Sequence, residues 1–171
     1  GKGIVRKFHA EGARVMIADI NLIAAQRIAD ELGKETDAVQ VDVADGTSVE
    51  NLKALAKKIL GEIDIIINNA GVTHLPTPLD EVSEEDFDRV FKVNCKSVYF
   101  MAKSFVPDMK ARKGGVILNV ASTAGVSPRP NLNWYNSSKG WMNTATKTMA
   151  VELAPFGIRI NAVNPVAGET P

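Results

Sequence analysis

A run of isoleucines stands near the middle of the sequence, Ile63-Asp64-Ile65-Ile66-Ile67, and leads directly into Asn68-Asn69-Ala70-Gly71. Unbroken apolar residues, rather than an alternation with polar ones, predict a strand covered on both faces, as in a buried parallel sheet. The small residues that follow would let the backbone approach a ligand, and the asparagine amides can pair with neighbouring strand ends. An ordinary polar turn, which is the alternative, would not require alanine and glycine next.

Strands and helices are predicted to alternate on both sides of this run. Hydrophobic periodicity places helices near residues 4–8, 21–32, 45–60, 83–112 and 134–155, and strands near 13–19, 38–43, 116–120 and 158–163. This alternation is typical of an α/β fold with a doubly wound parallel sheet, here expected as a single domain over residues 1–171. Right-handed crossovers then bring the carboxyl ends of all strands, and with them the binding site, to one edge of the sheet.

Polar residues mark the predicted helix ends. Asn21, Ser83 and Asn133 stand where a side-chain oxygen can cap a first turn. Pro107 is expected to kink the long helix that Ser83 opens. Asn94 falls inside the apolar stripe of that helix, where a buried amide needs hydrogen-bonding partners. We expect this amide either to be satisfied by backbone groups or to hold a water molecule beside the site described next.

Three side chains in the second half of the chain form a candidate proton-transfer site. Tyr135 and Lys139 stand four residues apart in a predicted helix and therefore share a face. Ser122 closes the preceding strand and faces that pair. A free tyrosine loses its proton only at about pH 10, and an ammonium group beside it favours the phenolate. We therefore predict that Tyr135 is a general acid/base tuned by Lys139, the alternative being a chance pair on one helix face.

The chain begins with features of a dinucleotide-binding unit. Gly1 and Gly3 open a helix, and Asp19 ends the next predicted strand at close to the ~20-residue spacing of such units. A helix N-terminus suits a pyrophosphate, whereas a carboxylate accepts ribose hydroxyls and repels a 2′-phosphate. We therefore predict NAD rather than NADP as the cofactor. A solvated strand end is the alternative interpretation of Asp19.

Composition argues against several classes of protein. Twenty basic and twenty acidic residues give no net charge, so neither nucleic acid nor an anionic membrane is expected as a partner. The single cysteine, Cys95, excludes an internal disulfide, is expected to be a packed thiol and fits a reducing cytoplasm. His9 and His74 lie far apart without a Cys/His cluster, so no metal site is predicted. No apolar run reaches the ~18 residues of a transmembrane helix, and no signal peptide is expected.

Together these motifs resemble those of the short-chain dehydrogenase/reductase family over nearly the whole chain. The matching residues, in order and spacing, are Asn68-Asn69-Ala70-Gly71, Asn94, Ser122, Tyr135 and Lys139. The resemblance implies that hydride passes between a substrate carbon and nicotinamide while Tyr135 exchanges a proton with the substrate oxygen. It further implies that Ser122 hydrogen-bonds that oxygen, Lys139 binds the nicotinamide ribose and Asn94 supports a water relay.

The same resemblance extends the cofactor site. It implies an adenine contact by Asp42 and Val43 and a nicotinamide contact by Pro165 and Thr170. The family usually has Pro-Gly where this chain has Pro165 and Val166, and valine lacks the freedom of glycine at positive φ. The full set of expected cofactor-binding residues is Gly1, Asp19, Asp42, Val43, Asn69, Ala70, Gly71, Tyr135, Lys139, Pro165 and Thr170.

The family pattern is also expected to extend beyond both ends of this chain. Only Gly1 matches the family's glycine-rich loop, so the first strand of the family is expected to precede this sequence. The family's substrate lid and last strand are expected to follow Pro171. The resemblance implies a homotetramer built on the helices over residues 84–112 and 134–155. The resulting interpretation is an NAD-dependent oxidoreductase of a sugar, polyol or hydroxyacyl compound. The alternatives are an NADP-dependent 3-oxoacyl-carrier-protein reductase and a dinucleotide-binding scaffold without catalysis, a class that generally loses the tyrosine or the lysine.

Overall fold

The computed structural model describes residues 1–166, which divide into two compact units. The first unit is Gly1–Ile63, and the second is Asp64–Pro171, described to residue 166. Each unit combines parallel strands with helices, so the predicted α/β fold class is confirmed. The single-domain organisation stays a prediction. None of the helices within residues 1–166 has both the length and the apolar character that crossing a bilayer requires.

The first unit contains two parallel strands and three helices. Its elements are α1 (Lys2–Ala10), β1 (Val15–Asp19), α2 (Leu22–Leu32), β2 (Thr36–Gln40) and α3 (Gly46–Leu60). Strand β1 pairs with β2 so that Ile17 lies opposite Ala38. Ile17 packs with Ala25 and Ala29, the buried residues of α2, and this contact holds the helix on the sheet. The Asn21 side chain accepts a hydrogen bond from the backbone of α2, as predicted.

Strand β2 ends three residues before its predicted end at Val43. The Asp42 carboxylate accepts a hydrogen bond from the Ala44 amide at 2.9 Å, and the Asp42 amide donates to Ser48 Oγ at 3.0 Å. These local bonds compete with the strand ladder and turn the chain towards α3. Asp42 and Val43 therefore lie in the loop after β2 rather than in the strand.

The second unit contains, within residues 64–166, three parallel strands in the order β3-β4-β5. Its strands and α-helices are β3 (Ile65–Asn68), α4 (Glu84–Phe91), α5 (Ser97–Arg112), β4 (Gly115–Val120), α6 (Asn133–Leu153) and β5 (Ile158–Val163). The prediction that the isoleucine strand is covered on both faces is wrong within this unit. Ile66 is buried but Ile65, which points to the opposite face of the strand, is 42% exposed, and helix α5 contacts β3.

The long helix predicted over residues 83–112 consists of three consecutive segments. Ser83 caps α4 as predicted, by accepting a hydrogen bond from the Asp86 amide. A π-helix, Lys92–Lys96, then separates α4 from α5, and Pro107 lies inside α5, which continues to Arg112. The α-helical conformation is therefore interrupted at Lys92–Lys96, whereas Pro107, which has no backbone N–H to donate, lies within a continuous α5. Such π segments are frequent at functional sites, and this one contains the buried Asn94.

Helix α6 begins at Asn133 itself, so the prediction that Asn133 caps it is wrong. Leu132 is the N-cap and makes no side-chain hydrogen bond. The Leu132 carbonyl instead accepts from the Asn136 amide at 2.8 Å. Because Asn133 is already in the first turn, its backbone is helical and its side chain is not placed to cap that turn.

Candidate active site

A cleft of about 390 Å³ opens at the carboxyl ends of β3, β4 and β5, within the range of small-molecule sites. Its walls are the loops that follow these three strands and the first turns of α6. The predicted site residues that line it are Asn69, Gly71, Ser122, Tyr135, Lys139 and Pro165. The structure thus gathers most of the second unit's predicted site residues at the expected edge of the sheet.

Tyr135 and Lys139 lie side by side on α6 and face this cleft. The Lys139 Nζ is 5.9 Å from the centroid of the Tyr135 ring and donates a hydrogen bond to the Val120 carbonyl at 3.0 Å. The ammonium group therefore lies between the phenol ring and the end of β4. Lys139 is 4% exposed, whereas Tyr135 is half-buried. The phenol is therefore accessible from the cleft, and the lysine lies deeper than the phenol.

Burial governs the titration of Lys139 and of its neighbour Cys95. Removal from water lowers the pKa of the Lys139 ammonium, an effect that Cys95 would oppose only as a thiolate. Burial likewise raises the pKa of the Cys95 thiol to about 11, with Lys139 acting in the opposite direction. The Cys95 Sγ donates to the Ser138 carbonyl at 3.7 Å, so this residue is a packed, protonated thiol, as predicted. A lysine cation in such poorly solvated surroundings exerts a strong field on the neighbouring cleft.

Ser122 faces the cleft, and within residues 1–166 its hydroxyl hydrogen has no acceptor. Its backbone is extended, and its Oγ accepts a hydrogen bond from the Ala124 amide at 3.1 Å. Since a hydroxyl carries one donor and two acceptor positions, this bond leaves the hydroxyl hydrogen for a ligand oxygen. The adjacent Thr123 donates from its amide and its Oγ1 to the Pro165 carbonyl, at 3.1 and 3.3 Å. The loops after β4 and β5 are thereby tied together.

Asn94 is fully buried behind the cleft and connects two of its walls. Its Oδ1 accepts from the Val72 amide at 2.8 Å, while its Nδ2 donates to the Val72 carbonyl and to Ser138 Oγ, both at 2.9 Å. Ser138 Oγ in turn donates to the Tyr135 carbonyl at 2.7 Å. Of the two expectations for Asn94, an amide satisfied by its neighbours or one that holds a water molecule, these bonds favour the first. The water relay stays a prediction. Its water molecule would have to donate a hydrogen bond to the remaining lone pair of Asn94 Oδ1.

Gly71 allows two polar groups to approach the loop after β3. A Cβ at this position would lie 3.2 Å from Lys139 Nζ and 3.4 Å from Asn94 Oδ1. A larger residue would therefore press on both groups. The small residue predicted to let the backbone approach a ligand also lets Lys139 and Asn94 come close to the loop after β3.

The asparagine at the end of β3 pairs across the sheet, as predicted. Asn68 Nδ2 donates to Asn119 Oδ1 of β4 at 2.8 Å. Asn119 Nδ2 donates to Thr146 Oγ1 of α6 at 2.8 Å, so the chain of bonds anchors the helix that carries Tyr135. Sequence reasoning missed Asn119 and Ser138. The signal for Asn119 is a lone amide in the apolar run of β4, whereas Ser138 carries no comparable signal.

Four predicted cofactor-binding residues belong to the first unit. Gly1 is the N-cap of α1. Asp19 is exposed at the carboxyl end of β1, and its Oδ1 accepts from the Asn21 amide at 2.9 Å. Asp42 and Val43 follow β2, which pairs with β1 in parallel. Asp19, Asp42 and Val43 therefore share the carboxyl edge of that two-stranded sheet.

Two expected cofactor-binding residues of the second unit remain, together with Val166, which departs from the family pattern. Ala70 is exposed but does not line the cleft, and Thr170 lies outside the described residues. Val166 lines the cleft. Positive φ at non-glycine residues occurs, among residues 1–166, only at three positions elsewhere. The loop therefore accommodates Val166 without the conformational freedom of glycine.

Comparison with known proteins places this cleft in a family. The family model described as short chain dehydrogenase matches residues 1–171. The 4-formylbenzenesulfonate dehydrogenase TsaC1/TsaC2 of Comamonas testosteroni is 44% identical over 185 residues, covering 100% of this chain and 69% of the relative. The galactitol 2-dehydrogenase of Agrobacterium fabrum is 37% identical, covering 96% of this chain and 64% of the relative.

The backbone of the chain also matches that of a solved structure. The 3-ketoacyl-(acyl-carrier-protein) reductase of Brucella melitensis, complexed with NADH, matches with a TM-score of 0.98 at 43% identity. The match covers 100% of this chain and 72% of the reductase chain. Across the two curated relatives the chain spans 64 to 69% of their length, so about a third of each relative has no counterpart here.

Proposed function

The chain belongs to the short chain dehydrogenase family, and from this premise we propose that it is part of an NAD-dependent oxidoreductase that interconverts an alcohol and a carbonyl compound. The observation that carries the proposal is the placement of Tyr135 beside the buried Lys139 ammonium, 5.9 Å from ring centroid to Nζ, in a cleft that Ser122 also lines. A scaffold without catalysis would have no need of this arrangement.

In the proposed reaction, residues of this chain would transfer the proton and hold the substrate oxygen. Tyr135, with the ammonium of Lys139 beside it, takes the hydroxyl proton of an alcohol or returns it to a carbonyl oxygen as a general acid/base. Ser122 donates its free hydroxyl hydrogen to the same substrate oxygen and so fixes its position. The bound nicotinamide supplies the chemistry of hydride transfer to and from the substrate carbon.

The residues around the cleft fit a dinucleotide of this kind. Asn69, Gly71, Lys139 and Pro165 line the space beside Tyr135, and the missing Cβ of Gly71 keeps the approach to Lys139 Nζ open. In the first unit, the exposed Asp19 carboxylate would accept hydrogen bonds from ribose hydroxyls. The same proposal includes cofactor contacts by five further residues and a water relay through Asn94. The five residues are Gly1, Asp42, Val43, Ala70 and Thr170.

The proposal is tested by a turnover screen of the full-length protein. Alcohols, sugars, polyols and ketones are offered with NAD(H) and with NADP(H), and absorbance of the reduced nicotinamide is followed. Turnover with NAD supports the proposal. Binding of NADH without turnover of any compound would instead favour the silent scaffold.

A second candidate function is reduction of a 3-oxoacyl thioester. The Brucella melitensis reductase of that description is 43% identical and was solved with NADH. The activity is therefore compatible with the carboxylate at Asp19, although the sequence interpretation linked it to NADP. Including acetoacetyl thioesters in the screen separates the two functions.

Asp19→Asn is expected to change the preference between cofactors. The carboxylate repels a 2′-phosphate, whereas an amide of the same shape does not, so the NADP-to-NAD ratio of kcat/KM should rise by roughly tenfold or more. Asp30→Asn, which removes an exposed charge from α2, is the control and should leave the ratio unchanged. An Asp19→Asn protein with the wild-type ratio would refute the assigned contact.

The homotetramer and the cytoplasmic location are kept as proposals. Helix α6 carries the apolar side chains Trp141 and Val151, which are 40% and 79% exposed and which an interface built on this helix would cover. A free buried thiol at Cys95 is compatible with a reducing compartment. We expect the full-length protein to elute as a tetramer in size exclusion with light scattering, and a monomer would contradict the proposed assembly.

A further inference from the structure

Arg129 gives the cleft a second positive charge. Among the described residues that line the cleft, Arg129 and Lys139 are the charged ones, and no aspartate or glutamate lines it. Within residues 1–166 the Arg129 guanidinium has no ion-pair or hydrogen-bond partner. Within residues 1–166 the lining of the cleft therefore carries positive charge without a negative side chain to balance it.

The backbone on both sides of Arg129 is fixed. Pro128 and Pro130 flank it, so the φ angles of both neighbours are set and Arg129 itself favours an extended conformation. Its carbonyl accepts a hydrogen bond from Nδ2 of the buried Asn136 at 2.7 Å. Since Asn136 directly follows Tyr135 on α6, one helical turn positions both the phenol and this loop.

Two further hydrogen bonds hold the ends of the Arg129 loop. On one side the Ser127 amide donates to the Thr123 carbonyl at 2.7 Å. On the other side the Asn131 carbonyl accepts from the Thr77 amide at 2.9 Å. The loop from 127 to 131 is therefore attached to the segments after β3 and β4, so little backbone conformational entropy is lost there when a ligand binds Arg129.

The two cations of the cleft differ in what they can bind. The Lys139 ammonium is buried, donates to the Val120 carbonyl and serves the phenol in the proposed function. Arg129 is exposed, and within the described part of the chain its side-chain N–H groups have no hydrogen-bond acceptor. A guanidinium stays charged at every physiological pH and matches a carboxylate with two parallel hydrogen bonds. Arg129 is thus the cation that is available to a ligand.

We propose that Arg129 is a specificity-determining residue that binds a carboxylate of the substrate, so that the substrate is a hydroxy acid or the corresponding oxo acid. The inference rests on the proposed function, because the carboxylate is placed in the same cleft as the oxygen held by Ser122 and Tyr135. The carboxylate-binding role of Arg129 narrows the substrate class from alcohols in general to anionic alcohols. Neutral sugars and polyols are then not expected as substrates.

The test uses two pairs of alcohols that differ in charge and little in shape. The pairs are 3-hydroxybutyrate with 3-hydroxybutyramide, and 4-(hydroxymethyl)benzoate with 4-(hydroxymethyl)benzamide. With NAD and the full-length protein, wild type is expected to prefer the carboxylate of at least one pair by about 10- to 100-fold in kcat/KM, the factor of a charge-assisted hydrogen bond. R129Q should lose this preference and turn over the amide as before. The preference should also shrink as salt is raised.

R27Q is the matched control, because Arg27 is an exposed arginine of α2 that does not line the cleft. It removes the same charge and should keep the carboxylate preference of wild type. Absence of that preference in the wild-type protein overturns the assignment, as does an R129Q protein that slows both members of a pair equally. Unchanged thermal midpoints of both variants show that folding is not the cause.

Failure of the proposed function is distinguished from failure of this inference. If the wild type turns over none of the four alcohols, the NADH-saturated protein is titrated with benzoate and with benzamide in a calorimeter. Tighter binding of benzoate that R129Q abolishes supports the anion site, and equal binding of the two compounds overturns it. Failure of the oxidoreductase proposal shows separately, as an absence of turnover in the wider screen of alcohols and ketones.

Discussion

Tyr135→Phe in the full-length protein is expected to lower kcat by about 10²- to 10⁴-fold, the usual contribution of a general acid/base. The substitution removes one oxygen and keeps the ring that packs beside Lys139, 5.9 Å from its Nζ. The backbone at this position is held by Ser138 Oγ, which the substitution does not touch. NADH binding, measured by the fluorescence of the bound nucleotide, should therefore be nearly unchanged while steady-state turnover is lost.

Tyr99→Phe is the control for this substitution. Tyr99 is the other tyrosine of the chain and lies on α5, 51% exposed. Its variant loses the same phenol oxygen outside the cleft and should turn over like wild type. Wild-type turnover in Tyr135→Phe would remove the proton donor from the proposed mechanism, whereas loss of NADH binding together with turnover would point to a damaged cofactor site.

The sheet and the carboxyl-edge location of the cleft could be predicted because they depend on local signals. Runs of β-branched residues such as Ile65 to Ile67 predict strands, and Ser83 and Asn21 mark helix starts through a single side-chain bond. Parallel strands joined by helices have their carboxyl ends on one edge, so strand-end residues such as Ser122 fall into a common site. None of these inferences needs the packing of distant segments.

The features that escaped prediction depend on contacts between distant segments. The extra backbone residue of the π-helix Lys92–Lys96 leaves no mark on the apolar spacing of the helix. The partners of Asn94, Val72 and Ser138, stand 22 and 44 positions away, so composition could show only that this amide needs partners. Asn133 carries the cap signature, but the hydrogen bond from the Asn136 amide to the Leu132 carbonyl starts the helix one residue earlier than that signature implies.

Gly125 is another residue whose role comes from packing. It lies in the 3₁₀ turn Thr123–Gly125, directly after Ser122. A Cβ at Gly125 would lie 2.6 Å from the Lys139 carbonyl carbon and 2.7 Å from the Gly140 amide nitrogen. Both atoms belong to the backbone of α6, which cannot yield locally as a flexible side chain can. The loop that carries Ser122 and the helix that carries the tyrosine and lysine are therefore in direct backbone contact at this glycine.

Gly125→Ala is expected to destabilise the full-length protein and to impair turnover. Overpacking of this kind costs about 1–3 kcal/mol or more, which corresponds to a thermal midpoint lower by roughly 2–12 °C. Because the added methyl group pushes the Ser122 loop away from Lys139, kcat should fall by about 10²-fold even below the midpoint, as expected for a displacement of ~1 Å at the reacting groups. Differential scanning fluorimetry and steady-state kinetics measure the two effects.

Gly140→Ala provides the matched control, since it adds the same methyl group on the opposite side of this contact. Its Cβ would lie 3.6 Å from the Gly125 carbonyl oxygen, an ordinary van der Waals distance. Alanine also favours the interior of α6 over glycine by up to about 1 kcal/mol, so the thermal midpoint should stay the same or rise and turnover should persist. If Gly125→Ala behaved like Gly140→Ala in both measurements, the loop and the helix would be free to separate, and the close backbone contact would not be what positions Ser122 beside Tyr135.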